Sequence, residues 1–186
     1  MSVSPTALLW ARIRAAGPLR VPASTTTPDG VLRLAEPGSE EVWLLPLVPE
    51  PAGPGVLGEL ELAGPAVEQP NDTARVLAAC LRCCWRSADG SPWPGSAAPW
   101  SAVTAVFRSL TDREPGAFHR ASLAAVRRLH NAGWVLWDEP AATVRLGPRV
   151  AAWSAADLSV LRELWRRTPP PPPLPAEDSP PAEEGS

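Results

Sequence analysis

The chain has 186 residues, of which 45% are hydrophobic, and it carries a formal net charge of −3. This length suits one domain or two small ones, and the apolar share is that of a globular protein rather than of a disordered chain. No apolar run approaches the ~20 residues of a membrane helix, and no basic residue precedes the apolar part of the N-terminus. The sequence therefore predicts a cytoplasmic protein without a signal peptide or a membrane span.

The charges are distributed unevenly along the chain. All 17 basic residues are arginines, and lysine and tyrosine are absent, which indicates a GC-rich coding sequence rather than selection for phosphate binding. Residues 1–70 have a net charge of −4, residues 71–168 of +5 and residues 169–186 of −4. A basic middle between acidic ends is consistent with an anionic partner, and equally with an ordinary solvated surface.

Residues 1–69 predict a helix followed by a small antiparallel β-meander. Ser4 and Pro5 can cap and start the helix, which ends at a Gly-Pro pair. Residues 19–30 are loop-like, and three strands then alternate with turns rich in proline and glycine, at 31–35, 41–48 and 56–62. Pro46 lies inside the middle strand, which predicts an edge position or a bulge there.

Residues 70–167 predict four helices and one β-hairpin. The first three helices are expected at 71–86, 100–110 and 117–132. Gly133 can adopt the left-handed conformation that ends a helix, and two strands joined by a four-residue turn follow it at 134–138 and 143–147. A last helix is expected at 155–167, where it could form a homodimer contact or cover the hairpin.

Residues 168–186 form the third predicted segment, a proline-rich acidic tail. Five consecutive prolines favour an extended polyproline II conformation, and the acidic remainder has too few apolar side chains to form a core. The sequence therefore predicts a disordered tail. Its PxxP pattern could bind an aromatic groove, and a plain spacer is the alternative.

The helix at 117–132 enters the first hairpin strand through a short pattern of apolar residues and glycine, formed by Val126, Leu129, Gly133, Trp134 and Val135. With three helices and a following hairpin, this pattern makes residues 71–147 resemble the winged helix-turn-helix family, in which it joins the recognition helix to the wing. The resemblance implies a winged-helix domain in an α+β protein and binding to duplex DNA, for example in transcription regulation. It also allows a non-enzymatic adaptor that docks on proteins in a larger, possibly ATPase-containing, complex.

Six polar residues of this region are the candidate DNA-binding site: Arg120, Arg127, Arg128, Asn131, Arg145 and Arg149. At about 100° per residue, the first four fall on one side of their helix, opposite its apolar side. Arginine can bridge two acceptors of guanine and asparagine can pair with adenine, so this side suits a major groove. The last two lie on or after the second hairpin strand and could reach phosphates. A solvated arginine surface is the alternative.

Motifs for catalysis or for a cofactor are not found in the sequence. It contains no glycine-rich phosphate loop, no G-x-S-x-G turn and no H-E-x-x-H pair, so we expect neither enzymatic activity nor a cofactor. Cys80, Cys83 and Cys84 form a C-x-x-C-C pattern that lacks a fourth ligand nearby for a structural zinc site. Packing of reduced thiols in the core is therefore expected, with a metal or redox role as the alternative.

Overall fold

The computed structural model describes residues 4–47 and 71–173, apart from the side chains of residues 14–16. Within these ranges the chain contains five α-helices and two small antiparallel sheets, which confirms the predicted α+β class. The predicted strand at 56–62 and the tail beyond residue 173 lie outside the described residues, as does the predicted boundary between residues 69 and 70.

The N-terminal part is a helix packed on a three-stranded sheet. Ser4 caps the helix by accepting a hydrogen bond from the backbone N–H of Ala7 at 3.3 Å, and a proline at the first position needs no hydrogen-bond partner. The elements are α1 (Pro5–Ala16), β1 (Leu19–Pro22), β2 (Val31–Ala35) and β3 (Glu41–Pro46), with the strands in the order β1-β3-β2. Ile13 of α1 is fully buried in a small core with Val21, Val42 and Leu44.

Two expectations for this sheet are wrong. Residues 19–22 form a strand rather than a loop, and their pairing on the free side of β3 makes β3 the central strand. The proline of β3 is tolerated there because Pro46 is the last residue of the strand, where a missing N–H interrupts no further ladder bond. The backbone N–H of Leu47 then bonds to the carbonyl of Gly30 at 2.9 Å.

The second part contains four helices and a second sheet. Its elements are α2 (Asp72–Cys84), β4 (Ala98–Pro99), α3 (Trp100–Ser109), α4 (Pro115–Asn131), β5 (Val135–Asp138), β6 (Thr143–Leu146), a 3-10 turn (Pro148–Ala152) and α5 (Ala155–Arg167). The predicted helices and hairpin strands agree with these bounds within two residues. The short strand β4 was not predicted, and it pairs with β6 so that the sheet order is β4-β6-β5.

The main core lies between α2, α3, α4 and the second sheet. Phe107 of α3 stacks on Phe118 of α4 with ring centroids 4.9 Å apart, and both are buried. Gly133 ends α4 as predicted, with φ of +76°, and a Cβ there would come within 2.6 Å of the Pro18 ring. The N-terminal part therefore packs closely against the entry to β5, and a glycine is required at that contact for two independent reasons.

Helix α5 packs against α2 and the loop that follows it. Its indole and guanidinium groups donate to backbone carbonyls there, Trp165 to Trp85 at 3.2 Å and Arg162 to Ala88 at 2.8 Å. Thr168 is buried and accepts a hydrogen bond from Arg82 at 2.9 Å, so it belongs to the folded part and the predicted tail boundary moves C-terminal to it. No helix in residues 4–47 or 71–173 is long and apolar enough to cross a bilayer.

Two valines on helices allow the core to be tested with one substitution. Val106 of α3 is 2% exposed, whereas Val160 of α5 is 71% exposed. We expect Val106→Ala to lower the free energy of unfolding by about 1.5–3 kcal/mol, because it removes buried methyl groups. Val160→Ala should change it by less than about 0.5 kcal/mol. Denaturant unfolding measures both, and equal effects of the two substitutions would show that α3 is not packed as described.

Candidate nucleic-acid interface

Helix α4 buries one side and exposes the other. Its buried residues are Phe118, Ser122, Ala125, Val126 and Leu129. Five residues on the other side are exposed to solvent, and we call them the α4 face: Arg120, Ala124, Arg127, Arg128 and Asn131. The structure thus brings together the first four predicted site residues on one accessible surface, with a short alanine side chain between the arginines.

The members of the α4 face differ in their contacts. Arg127 forms an ion pair with Glu139 at 2.7 Å, and the two side chains are 57% and 56% exposed. Arg128 donates from Nη2 to the Oγ1 of Thr73 at 3.0 Å. Among the described residues, the side chains of Arg120 and Asn131 form neither an ion pair nor a hydrogen bond. These two side chains can therefore bind a partner without first breaking a bond within the protein.

A cluster of arginines surrounds the start of α2, next to the α4 face. Asp72 at the first turn of α2 pairs with Arg113 at 2.6 Å and with Arg75 at 3.5 Å. Arg128 reaches the neighbouring residue, Thr73, from the α4 face. Two guanidinium groups thus pair with the carboxylate at this helix N-terminus, and a third bonds to the next residue of the helix.

Arg145 is partly exposed and forms an ion pair with the N-terminal sheet. Its Nη1 lies 2.6 Å from Oε2 of Glu36, which follows β2, and the other oxygen of that carboxylate accepts a bond from the indole of Trp43 at 2.6 Å. Burial by itself would raise the pKa of Glu36, but the hydrogen bonds from Arg145 and Trp43 outweigh it and the pKa is lowered. This ion pair therefore connects the two sheets.

Arg149 is also engaged within the fold. Its Nε donates to the carbonyl of Ala132 at the end of α4, and its guanidinium carbon lies 5.8 Å from the ring centroid of Trp134. Burial lowers the pKa of Arg149. Each of these bonds uses one of the five guanidinium donors, so a phosphate contact by Arg145 or Arg149 stays a prediction, and the interface proposed below is confined to the other four residues.

The hairpin turn contains acidic residues that sequence reasoning missed as part of the site. Asp138 accepts a hydrogen bond from the backbone N–H of Ala141 at 3.0 Å, and Glu139 pairs with the α4 face as described. Residues 138–142 contain these two acids and no arginine. The acidic turn was visible in the sequence, but its contact with α4 depends on how the hairpin folds back.

Two of the three cysteines lie in the main core, and Cys83 packs against it. Cys80 and Cys84 are buried, and burial raises the pKa of Cys83 to about 11 and that of Cys84 to about 12. Burial therefore disfavours the thiolate, which is the nucleophilic form of cysteine. Within the described ranges, no group of three His, Cys, Asp or Glu side chains is placed to hold a metal ion.

Comparisons with protein-family models, with curated protein sequences and with solved structures gave no match. The α4 face and its surroundings are therefore the basis for the function proposed below.

The contact between the two sheets can be tested by pH. Glu36→Gln should lower the free energy of unfolding by about 1–3 kcal/mol at pH 7, because it leaves Arg145 without its carboxylate. The pKa of Glu36 is lowered by folding, so the carboxylate stabilises the fold above its ordinary pKa of 4.5, and this contribution is lost as the pH falls through the lower folded value. The difference in free energy of unfolding between wild type and Glu36→Gln should therefore shrink as the pH falls.

A matched control is Glu41→Gln. Glu41 pairs with Arg20 at 2.9 Å, but these side chains are 45% and 49% exposed. Such a surface pair contributes at most about 1 kcal/mol. Urea titrations between pH 7 and pH 3 measure the free energy of unfolding of both variants. If the free energy lost in Glu36→Gln stayed constant over this range, the role given to the carboxylate would be contradicted.

Proposed function

We propose that residues 71–147 form a winged-helix domain that binds duplex DNA through the α4 face, in a cytoplasmic, non-enzymatic regulator of transcription. The element order supports the fold, because three helices are followed by a hairpin whose strands pair antiparallel. The backbone N–H of Trp100, the first residue of α3, also bonds to the carbonyl of Ala142 in the hairpin turn at 2.8 Å. The helices and the hairpin are therefore joined in one body.

The single observation that carries the proposal is the uncovered α4 face. A helix of this kind fits the width of a major groove, and its side chains match the groups displayed there. Arg120 can donate two hydrogen bonds to guanine, Asn131 can pair with adenine, and the exposed methyl of Ala124 suits the methyl group of thymine. The buried residues of α4 fix this surface relative to the rest of the domain.

The arginine cluster at the start of α2 supports the same ligand. Phosphate oxygens flank a major groove, and arginines beside a reading helix fix its position on the duplex. Arg75 and Arg113 have side chains that are 44% and 46% exposed, although both also contact Asp72. Attraction of a phosphate by this cluster requires no contact from the hairpin.

We expect Arg120→Ala and Asn131→Ala to weaken binding to a selected duplex by about 1–3 kcal/mol each and to relax the preference at one base pair. Stability should change little, because both side chains are exposed. Arg166→Ala is the matched control for loss of one positive charge, since Arg166 lies on α5 and is 54% exposed. Fluorescence anisotropy with a selected and a random duplex measures all three variants. Equal losses in Arg120→Ala and the control would contradict a reading role for α4.

A second candidate is a docking module for another protein, which the hairpin favours. Its turn is acidic, and the one arginine of the hairpin strands, Arg145, is already paired with Glu36, so the hairpin is less suited to a phosphate backbone than the α4 face is. Binding of wild type to mixed duplex DNA at low salt distinguishes the two functions, because phosphate contacts impose a dependence of affinity on salt. A null result at low salt would favour the docking module.

A further inference from the structure

The contact between Glu139 and Arg127 joins the hairpin turn to the α4 face. Oε1 of Glu139 lies 2.7 Å from Nη2 of Arg127, a distance typical of a charge-assisted hydrogen bond. The turn that carries Glu139 is itself fixed by the bonds of Ala141 to Asp138 at 3.0 Å and of Ala142 to the Glu139 carbonyl at 3.2 Å. The carboxylate is therefore presented to α4 by an ordered turn.

We infer that Glu139 is a positioning residue that sets the sequence specificity of the proposed DNA-binding surface by orienting Arg127. A guanidinium has five N–H donors in a rigid planar fork, so one carboxylate contact leaves donors free for a base. An arginine held in one orientation loses less side-chain entropy when it binds, and it presents its donors in a single direction. The inference rests on the proposed function and adds the residue that makes Arg127 selective.

The negative charge of Glu139 also lowers the affinity for DNA. Glu139 is 56% exposed next to the surface that would meet DNA, and its negative charge repels phosphates. It therefore weakens binding to every sequence while it improves discrimination between sequences. A purely electrostatic role would weaken binding to every sequence without improving discrimination between sequences.

Asp138 provides a control in the same turn. Glu139→Gln and Asp138→Asn each remove one negative charge without changing the size of the side chain. Asn at 138 keeps an oxygen that can accept the bond from Ala141, and the carboxylate of Asp138 makes no ion pair with Arg127 in the described part of the chain. The two variants therefore share the change in charge, but only Glu139→Gln weakens the contact with Arg127, from a charge-assisted to an ordinary hydrogen bond.

The test measures a selectivity ratio, which is the Kd for random duplex divided by the Kd for selected duplex. It compares wild type with Glu139→Gln, Asp138→Asn, Arg127→Ala and the double variant Glu139→Gln/Arg127→Ala. Both turn variants should bind random duplex more tightly than wild type. The ratio should fall at least about threefold in Glu139→Gln, as expected for coupled neighbours, and stay constant in Asp138→Asn. In the Arg127→Ala background, Glu139→Gln should leave the ratio unchanged.

The possible failures are distinguishable. An unchanged ratio in Glu139→Gln, an equal fall in Asp138→Asn, or a fall that persists without Arg127 would each overturn the inference while the proposed function stands. Failure of wild type to bind either duplex at low salt would overturn the proposed function and this inference with it.

Discussion

Burial of one side of α4 is the constraint on which the rest of the account depends. Phe118, Val126 and Leu129 are packed into the main core, where α4 contacts α2 and β5, and Phe118 also stacks on Phe107 of α3. This packing fixes the rotation of the helix about its axis, and the same rotation directs the α4 face to solvent. A polar surface is thus produced by an apolar contact, and no residue of the face needs to stabilise the fold.

The arginines of the basic region, residues 71–168, include some with partners inside the fold and some exposed on α4. Arg145 and Arg149 are partly exposed and each has a partner within the fold, a carboxylate beside the N-terminal sheet for the first and a backbone carbonyl for the second. Those on α4 remain at the surface, where one of them pairs with Glu139. The acidic N-terminal part therefore supplies a carboxylate partner to the basic part, and net charge alone does not reveal which arginines can reach a ligand.

Much of the fold could be predicted from local signals in the sequence. Ser4 and Gly133 mark helix ends through caps and a left-handed residue, and the spacing of apolar residues on α4 predicted its exposed side. The strands β1 and β4 could not be predicted, because they are short, lie beside prolines and depend on partners distant in sequence. The pairing of Arg145 with Glu36 spans 109 residues, and such a contact follows from tertiary packing rather than from a motif.

The most direct test follows the side-chain Nε–Hε resonances of the arginines by NMR while a mixed-sequence duplex is added at low salt. Each arginine has its own donor, so the spectrum shows which guanidinium groups meet the ligand. Binding through the α4 face should perturb the Arg120, Arg127 and Arg128 signals and leave those of Arg145 and Arg149, which have partners within the fold, unchanged. Perturbation confined to Arg145 and Arg149, or none for the arginines of α4, would contradict it.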